Sequence, residues 1–173
     1  MKYLAAIALF VGSPAAAEVV SASSNGFEVR ETVDLVVPPD VAWSSFANVA
    51  AWWDAEHSYS GKAENLSLNV APGGCFCERF PKGGGIEHMR VTYVDPGKRI
   101  LLTGALGPLL YEATAGVMDV QLKRTAAGTQ LTLDYRAAGF ANGGAEKLAP
   151  AVDQVLAAQL KRLRAFAAAR PRT

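Results

Sequence analysis

A run of short strand-type segments joined by tight turns fills the middle of this chain, and it limits the fold more than any other feature. These segments occupy residues 66–70, 75–80, 86–94, 99–105, 117–124 and 129–136. Their alternation of apolar and polar residues is typical of strands with one buried face. Turns rich in glycine and proline separate several of them, and tight turns connect antiparallel neighbours. The pattern therefore predicts an antiparallel meander whose apolar face another element must cover.

One further strand and three helical segments flank this run. Residues 27–37 alternate like a half-buried strand, a helix is predicted over residues 41–51, and a second short helix follows at residues 52–54. From Gly144 onward, apolar residues recur at helical spacing for about 20 residues. Only this last helix is long enough to cover the sheet. We expect an α+β fold, with a curved antiparallel sheet of roughly six to seven strands wrapped on the C-terminal helix.

Four segments resemble those of a known superfamily. They are Val37–Trp43 entering the first helix, Trp52–Trp53 at the helix end, Pro72–Phe76 opening a strand, and Val91–Thr103 across a hairpin. On these residues the chain is similar to the SRPBCC superfamily, and within it to the polyketide-cyclase/dehydrase-like and heat-shock-ATPase-activator-homologue branches. The resemblance implies the START-like, or helix-grip, fold, with two short helices after the first strand. It also implies a cavity between the sheet and the long helix.

The N-terminus has the order of residues found in a signal peptide. Lys2 precedes an apolar run over residues 3–11. Ser13 and Pro14 interrupt that run, and the alanines at 15–17 offer a cleavage site. We therefore predict a periplasmic or secreted protein. The predicted division is a signal peptide over residues 1–17, a flexible leader over 18–26, a START-like SRPBCC domain over 27–168 and a tail over 169–173.

The charge balance argues against a nucleic-acid partner. The whole chain carries 17 Lys and Arg against 16 Asp and Glu, and removal of Lys2 with the signal leaves the two signs equal. A domain without net positive charge lacks the electrostatic signature of nucleic-acid binding. We also expect no cofactor and no stable membrane insertion, and the sequence specifies no oligomeric state.

Apolar side chains that face the sheet interior are expected to line the cavity. The predicted ligand-binding residues are Trp53, Phe76, Phe80, Met89, Tyr93, Met118, Tyr135 and Leu156. Such a lining suits a small hydrophobic, amphipathic or aromatic molecule, and binding of that molecule is the predicted function. The alternative is that these side chains simply fill a solid core.

Two glutamates interrupt the inward faces of neighbouring strands. Glu78 falls on the face of Phe76, and Glu87 falls on the face of Met89. Two buried carboxylates, together with His57 in the loop after the tryptophans, would suit general acid–base catalysis. The alternative function is therefore a cyclase/dehydrase-like or hydrolytic enzyme. The simpler interpretation is that one glutamate pairs with a neighbouring arginine.

Cys75 and Cys77 lie two apart on one strand, where their side chains share the face opposite Phe76. His88 falls on the same face by the alternation of the next strand. A regular strand holds such Cα atoms roughly 7 Å apart, at the limit for a disulfide. Three states stay open: a disulfide in an oxidising compartment, free thiols, and a zinc- or copper-type site completed by His88 and His57.

Overall fold

The computed structural model describes residues 16–170. The predicted signal peptide, apart from its last two residues, and the last three residues of the predicted tail lie outside this range. Among the described residues, no helix combines the length and the apolar character needed to cross a bilayer. The strands and helices, in chain order, are β1 (Ala16–Ser23), β2 (Gly26–Leu35), α1 (Pro39–Ala47), β3 (Leu66–Leu68), β4 (Cys75–Arg79), β5 (Gly85–Asp95), β6 (Arg99–Gly104), β7 (Ala113–Thr125), β8 (Gly128–Phe140) and α2 (Ala149–Ala168).

Eight strands form one antiparallel sheet in the order β1-β2-β8-β7-β6-β5-β4-β3. Strands β3 to β8 are the predicted meander, and β2 pairs with β8 through ten residue pairs in register. The connection from β2 to β3 therefore runs from one side of the sheet to the other, and it contains α1. The predicted α+β, helix-grip architecture is confirmed, with slightly more strands than expected.

The extra strand is the segment predicted as a flexible leader. Residues 18–23 belong to β1, which pairs with β2 and places Val19 opposite Val29. The side chains gave little sign of this strand, because the segment is rich in serine and its valines at 19 and 20 remain exposed. Its backbone hydrogen bonds to β2 hold it in place, and they do not depend on a buried face.

The long helix α2 covers the sheet as predicted. Its buried stripe includes Leu156, Leu160 and Leu163, and the helix packs against β1 and β2. The tryptophan pair does not form the predicted second α-helix. Short 3₁₀ turns over Val49–Ala51 and Ala55–His57 flank it instead, and both indoles are buried in the core.

Two irregularities in strand pairing change which side chains face the interior. The register shifts between Phe76 and Cys77 where β4 meets β5, and again between Val91 and Tyr93 where β5 meets β6. A bulge adds one residue to one strand, so the alternation of faces breaks at that point. Consecutive residues of β5, at 88 and 89, are consequently both buried. These shifts determine the composition of the site.

Candidate functional site

A cavity of about 420 Å³ lies between the first half of α2, the 3₁₀ turn Gly107–Tyr111, the loop at residues 56–59 and the strands beneath. Its wall is largely apolar and aromatic. It opens to solvent where Tyr111 and Ala151, both exposed, stand at its edge. The residues that line it include Trp53, Tyr59, Phe76, His88, Leu106, Leu109, Tyr135, Leu148, Val152, Val155 and Leu156.

Four of the predicted ligand-binding residues line this cavity: Trp53, Phe76, Tyr135 and Leu156. Met118 lines a second, smaller cavity of about 30 Å³. Trp53, Phe76 and Leu156 contribute to the walls of both cavities. These three side chains therefore separate the larger space from the smaller one.

Three other predicted ligand-binding residues line neither cavity. Met89 is buried in the core, and Phe80 is half-buried at the end of its strand. Tyr93 is 48% exposed, and the guanidinium of Arg99 lies 6.0 Å from its ring centre. The second bulge turns Tyr93 outward, so the expectation that it shares the inward face of Met89 is wrong.

The two predicted catalytic glutamates lie on opposite sides of the sheet. Glu78 is buried, as expected, and its carboxylate accepts a backbone N–H from Tyr59 at 3.0 Å and another from Ser60. Glu87 lies on the outer surface and pairs with Arg90. The bulge between β4 and β5 causes this difference, because it shifts the inward face of β5 by one residue. The structure therefore does not bring Glu78 and Glu87 together.

The shift brings His88 to Glu78 instead. His88 is only 4% exposed, and its Nε2 lies 3.2 Å from Oε2 of Glu78. His57, the third predicted catalytic residue, lines the cavity at its exposed edge. The sequence prediction missed His88 because strict alternation assigned it to the outer face. Only knowledge of the bulge in β5 would have placed His88 on the inner face, and the residue types of this strand do not indicate a bulge.

The surroundings set the charge state of this pair. Burial opposes ionisation of Glu78, but the hydrogen bonds from Ser60, Tyr59 and His88 outweigh burial and lower the pKa of Glu78. Burial lowers the pKa of His88 more than the hydrogen bond and charge of Glu78 raise it. At neutral pH the pair is thus a carboxylate and a neutral imidazole. A carboxylate can only accept, so Nε2 of His88 carries the proton and Nδ1 carries a lone pair.

Two aromatic rings enclose the imidazole. The ring centre of Phe76 lies 4.9 Å from that of His88, and the ring of Tyr59 stacks on it at 5.9 Å. The hydroxyl of Tyr59 donates to the carbonyl of Gly107 at 2.9 Å. Within residues 16–170, Nδ1 of His88 is buried and has no hydrogen-bond partner. An orphaned buried acceptor is uncommon, since it forfeits its hydrogen bond to water.

Tyr135 is the second buried polar group at this cavity. Its hydroxyl accepts the backbone N–H of Leu106 at 3.2 Å. Burial raises the pKa of Tyr135 to about 12, although the N–H of Leu106 acts in the opposite direction. The phenol therefore stays protonated at neutral pH. It offers a hydroxyl group, not a charge, to the cavity wall.

Cys75 and Cys77 form a disulfide, one of the three states that the sequence left open. Their Cα atoms are 5.4 Å apart, which is closer than in a regular strand and within the range that a disulfide spans. The carboxylate of Glu87 lies within 4.8 Å of both sulfurs. His88 faces the interior instead. The structure thus does not assemble the predicted set of Cys75, Cys77 and His88.

The chain matches no protein-family model and no curated protein. It is similar in structure to an uncharacterised protein from Rhizobium leguminosarum, with a TM-score of 0.57, 17% identity, and coverage of 90% of this chain and 98% of that one. A protein from Rhizobium loti has a TM-score of 0.57 and 25% identity, with coverage of 82% and 95%. A Staphylococcus aureus protein of unknown function has a TM-score of 0.55 and 12% identity, with coverage of 82% and 93%. These likenesses, like the sheet and C-terminal helix, are compatible with a helix-grip fold.

Proposed function

We propose that this chain is an exported START-like SRPBCC domain that binds a small hydrophobic or amphipathic molecule in the 420 Å³ cavity. The cavity itself carries the proposal. Its volume falls within the usual range for small-molecule sites, and such sites combine apolar walls with a few polar groups. Trp53, Leu109 and Leu156 provide apolar walls, while His88 and Tyr135 provide polar groups.

Export is supported by two features that are independent of the cavity. The first 17 residues follow the signal-peptide order of a charge, an apolar run, helix breakers and small residues. The disulfide between Cys75 and Cys77 fits an oxidising compartment. The SRPBCC assignment is supported by the sequence segments that resemble that superfamily and by the helix-grip architecture.

The test is native mass spectrometry of the protein purified from its own cell envelope. The protein mass should lack residues 1–17. It should also show an adduct of roughly a few hundred daltons that denaturation removes, as expected for a ligand that fits this cavity. A wild-type protein that carries no adduct and shows no saturable binding of N-phenyl-1-naphthylamine would contradict ligand binding.

A matched pair of variants on α2 locates the binding site. Ala151→Trp places a large ring at the cavity edge, where the native residue is exposed and lines the opening. Ala158→Trp makes the same change at an exposed position of the same helix that does not line the cavity. The first variant should lose the adduct and the second should keep it. Equal retention by both would place the ligand elsewhere.

A second candidate function is an enzyme of the cyclase/dehydrase-like or hydrolytic kind. The contact between Glu78 and His88 favours it, because a neutral imidazole held by a carboxylate is a common general base. In that case His88 would take the proton, and Glu78 would position the ring. Conversion of the envelope-derived ligand to a product of different mass, abolished in His88→Phe, would favour the enzyme over a carrier.

A further inference from the structure

We propose that the ligand carries a hydroxyl or N–H group on its apolar skeleton, and that this group donates a hydrogen bond to Nδ1 of His88. The proposal rests on the proposed function, since it assigns a chemical class to the molecule in the cavity. It makes His88 the residue that determines specificity, with Glu78 as a positioning residue.

The first argument is the unsatisfied acceptor. His88 is 96% buried and lines the cavity, and Nδ1 has no partner within the part of the chain that the structure describes. Neither of the two rings that enclose the imidazole supplies a donor to it, because Phe76 is apolar and the hydroxyl of Tyr59 donates to Gly107. A buried acceptor of this kind favours a ligand that supplies the missing donor.

The second argument concerns which ring nitrogen of His88 carries the proton. Glu78 accepts two backbone N–H groups, from Tyr59 and Ser60, and a third contact joins its Oε2 to Nε2 of His88. These three contacts fix the carboxylate in one position, and a fixed carboxylate holds the Nε2–H tautomer. Nδ1 is then an acceptor only, so the ligand group that pairs with it must be a donor.

The third argument concerns access to Nδ1. The atom is closed off from solvent by the side chains around it. The ring of Tyr59 covers the imidazole at the rim of the cavity and is itself 39% exposed. Its hydroxyl donates to the Gly107 carbonyl, and its ring packs edge-on against the exposed ring of Tyr111. Displacement of the Tyr59 ring by an incoming ligand would open the path to Nδ1.

The test compares 2-naphthol with 2-methylnaphthalene, which has the same fused rings but a methyl group in place of the hydroxyl. Transfer of a hydroxyl from water into an apolar site is unfavourable without a partner. A preference for 2-naphthol therefore requires a hydrogen-bond partner inside the cavity, and the His88 variant below identifies that partner. We expect the wild-type protein to bind 2-naphthol about three- to tenfold more tightly, the effect of one neutral hydrogen bond. Binding of each compound is followed by the displacement of N-phenyl-1-naphthylamine from the protein.

The matched variant is His88→Phe, which keeps a ring between Tyr59 and Phe76 but removes the acceptor. Within this variant the affinities for 2-naphthol and 2-methylnaphthalene should be equal, so the preference for 2-naphthol seen in the wild type should be lost. A wild-type protein that binds both compounds equally would overturn this proposal and leave the proposed function standing. Failure to bind either compound would count against both.

A spectroscopic readout does not depend on the folding of the variant. The chain has only two histidines, His57 and His88, so their ring nitrogens can be assigned in the nitrogen-15 spectrum of the wild type. Addition of 2-naphthol should shift the Nδ1 resonance of His88, and 2-methylnaphthalene should not. An Nδ1 resonance that responds equally to the two compounds would overturn the proposal.

Discussion

The ring of Tyr135 on β8 packs directly against Gly116 on β7. A Cβ added at Gly116 would lie 2.7 Å from Cε2 of Tyr135 and 2.8 Å from its phenol oxygen. Gly116→Ala should therefore displace Tyr135 and weaken its hydrogen bond with Leu106. We expect the free energy of unfolding to fall by about 1–3 kcal/mol, as for other overpacked cores. Urea denaturation measures this change.

The control for this variant is Ala115→Val, at the preceding and exposed position of β7. A surface change of this kind should alter the free energy of unfolding by less than about 0.5 kcal/mol. Equal stability of Gly116→Ala and wild type would show that Tyr135 has room to move.

A hydrogen bond links α2 to the segment that follows Trp52 and Trp53. The side-chain oxygen of Gln159 accepts the backbone N–H of Asp54 at 2.8 Å. Gln159→Leu keeps a similar volume but leaves that N–H without its acceptor. We expect a loss of about 1–3 kcal/mol in the free energy of unfolding. Gln154→Leu, on an exposed face of the same helix, should have little effect. Equal losses in the two variants would refute the role of this hydrogen bond.

The buried carboxyl of Glu31 makes stability depend on pH. Burial, followed by the hydrogen bond and negative charge of Asp153, raises its pKa from 4.5 to about 8. The folded protein therefore binds a proton that the unfolded chain releases above about pH 4.5. The stability that this proton adds to the folded state is fully present below about pH 4.5 and is lost as the pH rises through about 8.

Urea denaturation between pH 5 and about pH 8 tests this sign. Glu31→Gln removes this titrating group and leaves the others, including His88, in place. The free energy of unfolding of the wild type minus that of Glu31→Gln should therefore fall with rising pH, by at most about 1.4 kcal/mol per pH unit for one proton. A difference that rises over this range would contradict the assignment.

The disulfide on the outer face should not affect the cavity. The double variant Cys75→Ser, Cys77→Ser should lose about 1–2 kcal/mol of stability, the usual effect of opening a very short loop. Its affinity for 2-methylnaphthalene should match that of the wild type, because Phe76 between the two cysteines still faces inward. A reduced affinity would mean that the bridge positions Phe76.

The prediction of strands succeeded because turns and alternating apolar residues carry local information. The bounds of β4 and β6 agree with the sequence prediction to within one residue at each end. The site was harder to predict, because a single bulge exchanges the two faces of a strand. Consequently Glu87, which was predicted to face inward, faces outward, and His88, which was predicted to face outward, faces inward. The contact of Glu31 with Asp153 joins residues far apart in sequence, so no local pattern indicates it.

The wall that Trp53, Phe76 and Leu156 form between the two cavities has a consequence for the size of the bound molecule. A ligand that enters at Tyr111 can extend inward only as far as these side chains. Removal of one of them, for example by Leu156→Ala, would join the small space to the large one and admit a longer chain. Related proteins that differ at these three positions should therefore discriminate between ligands by length, independently of the polar group that each ligand carries.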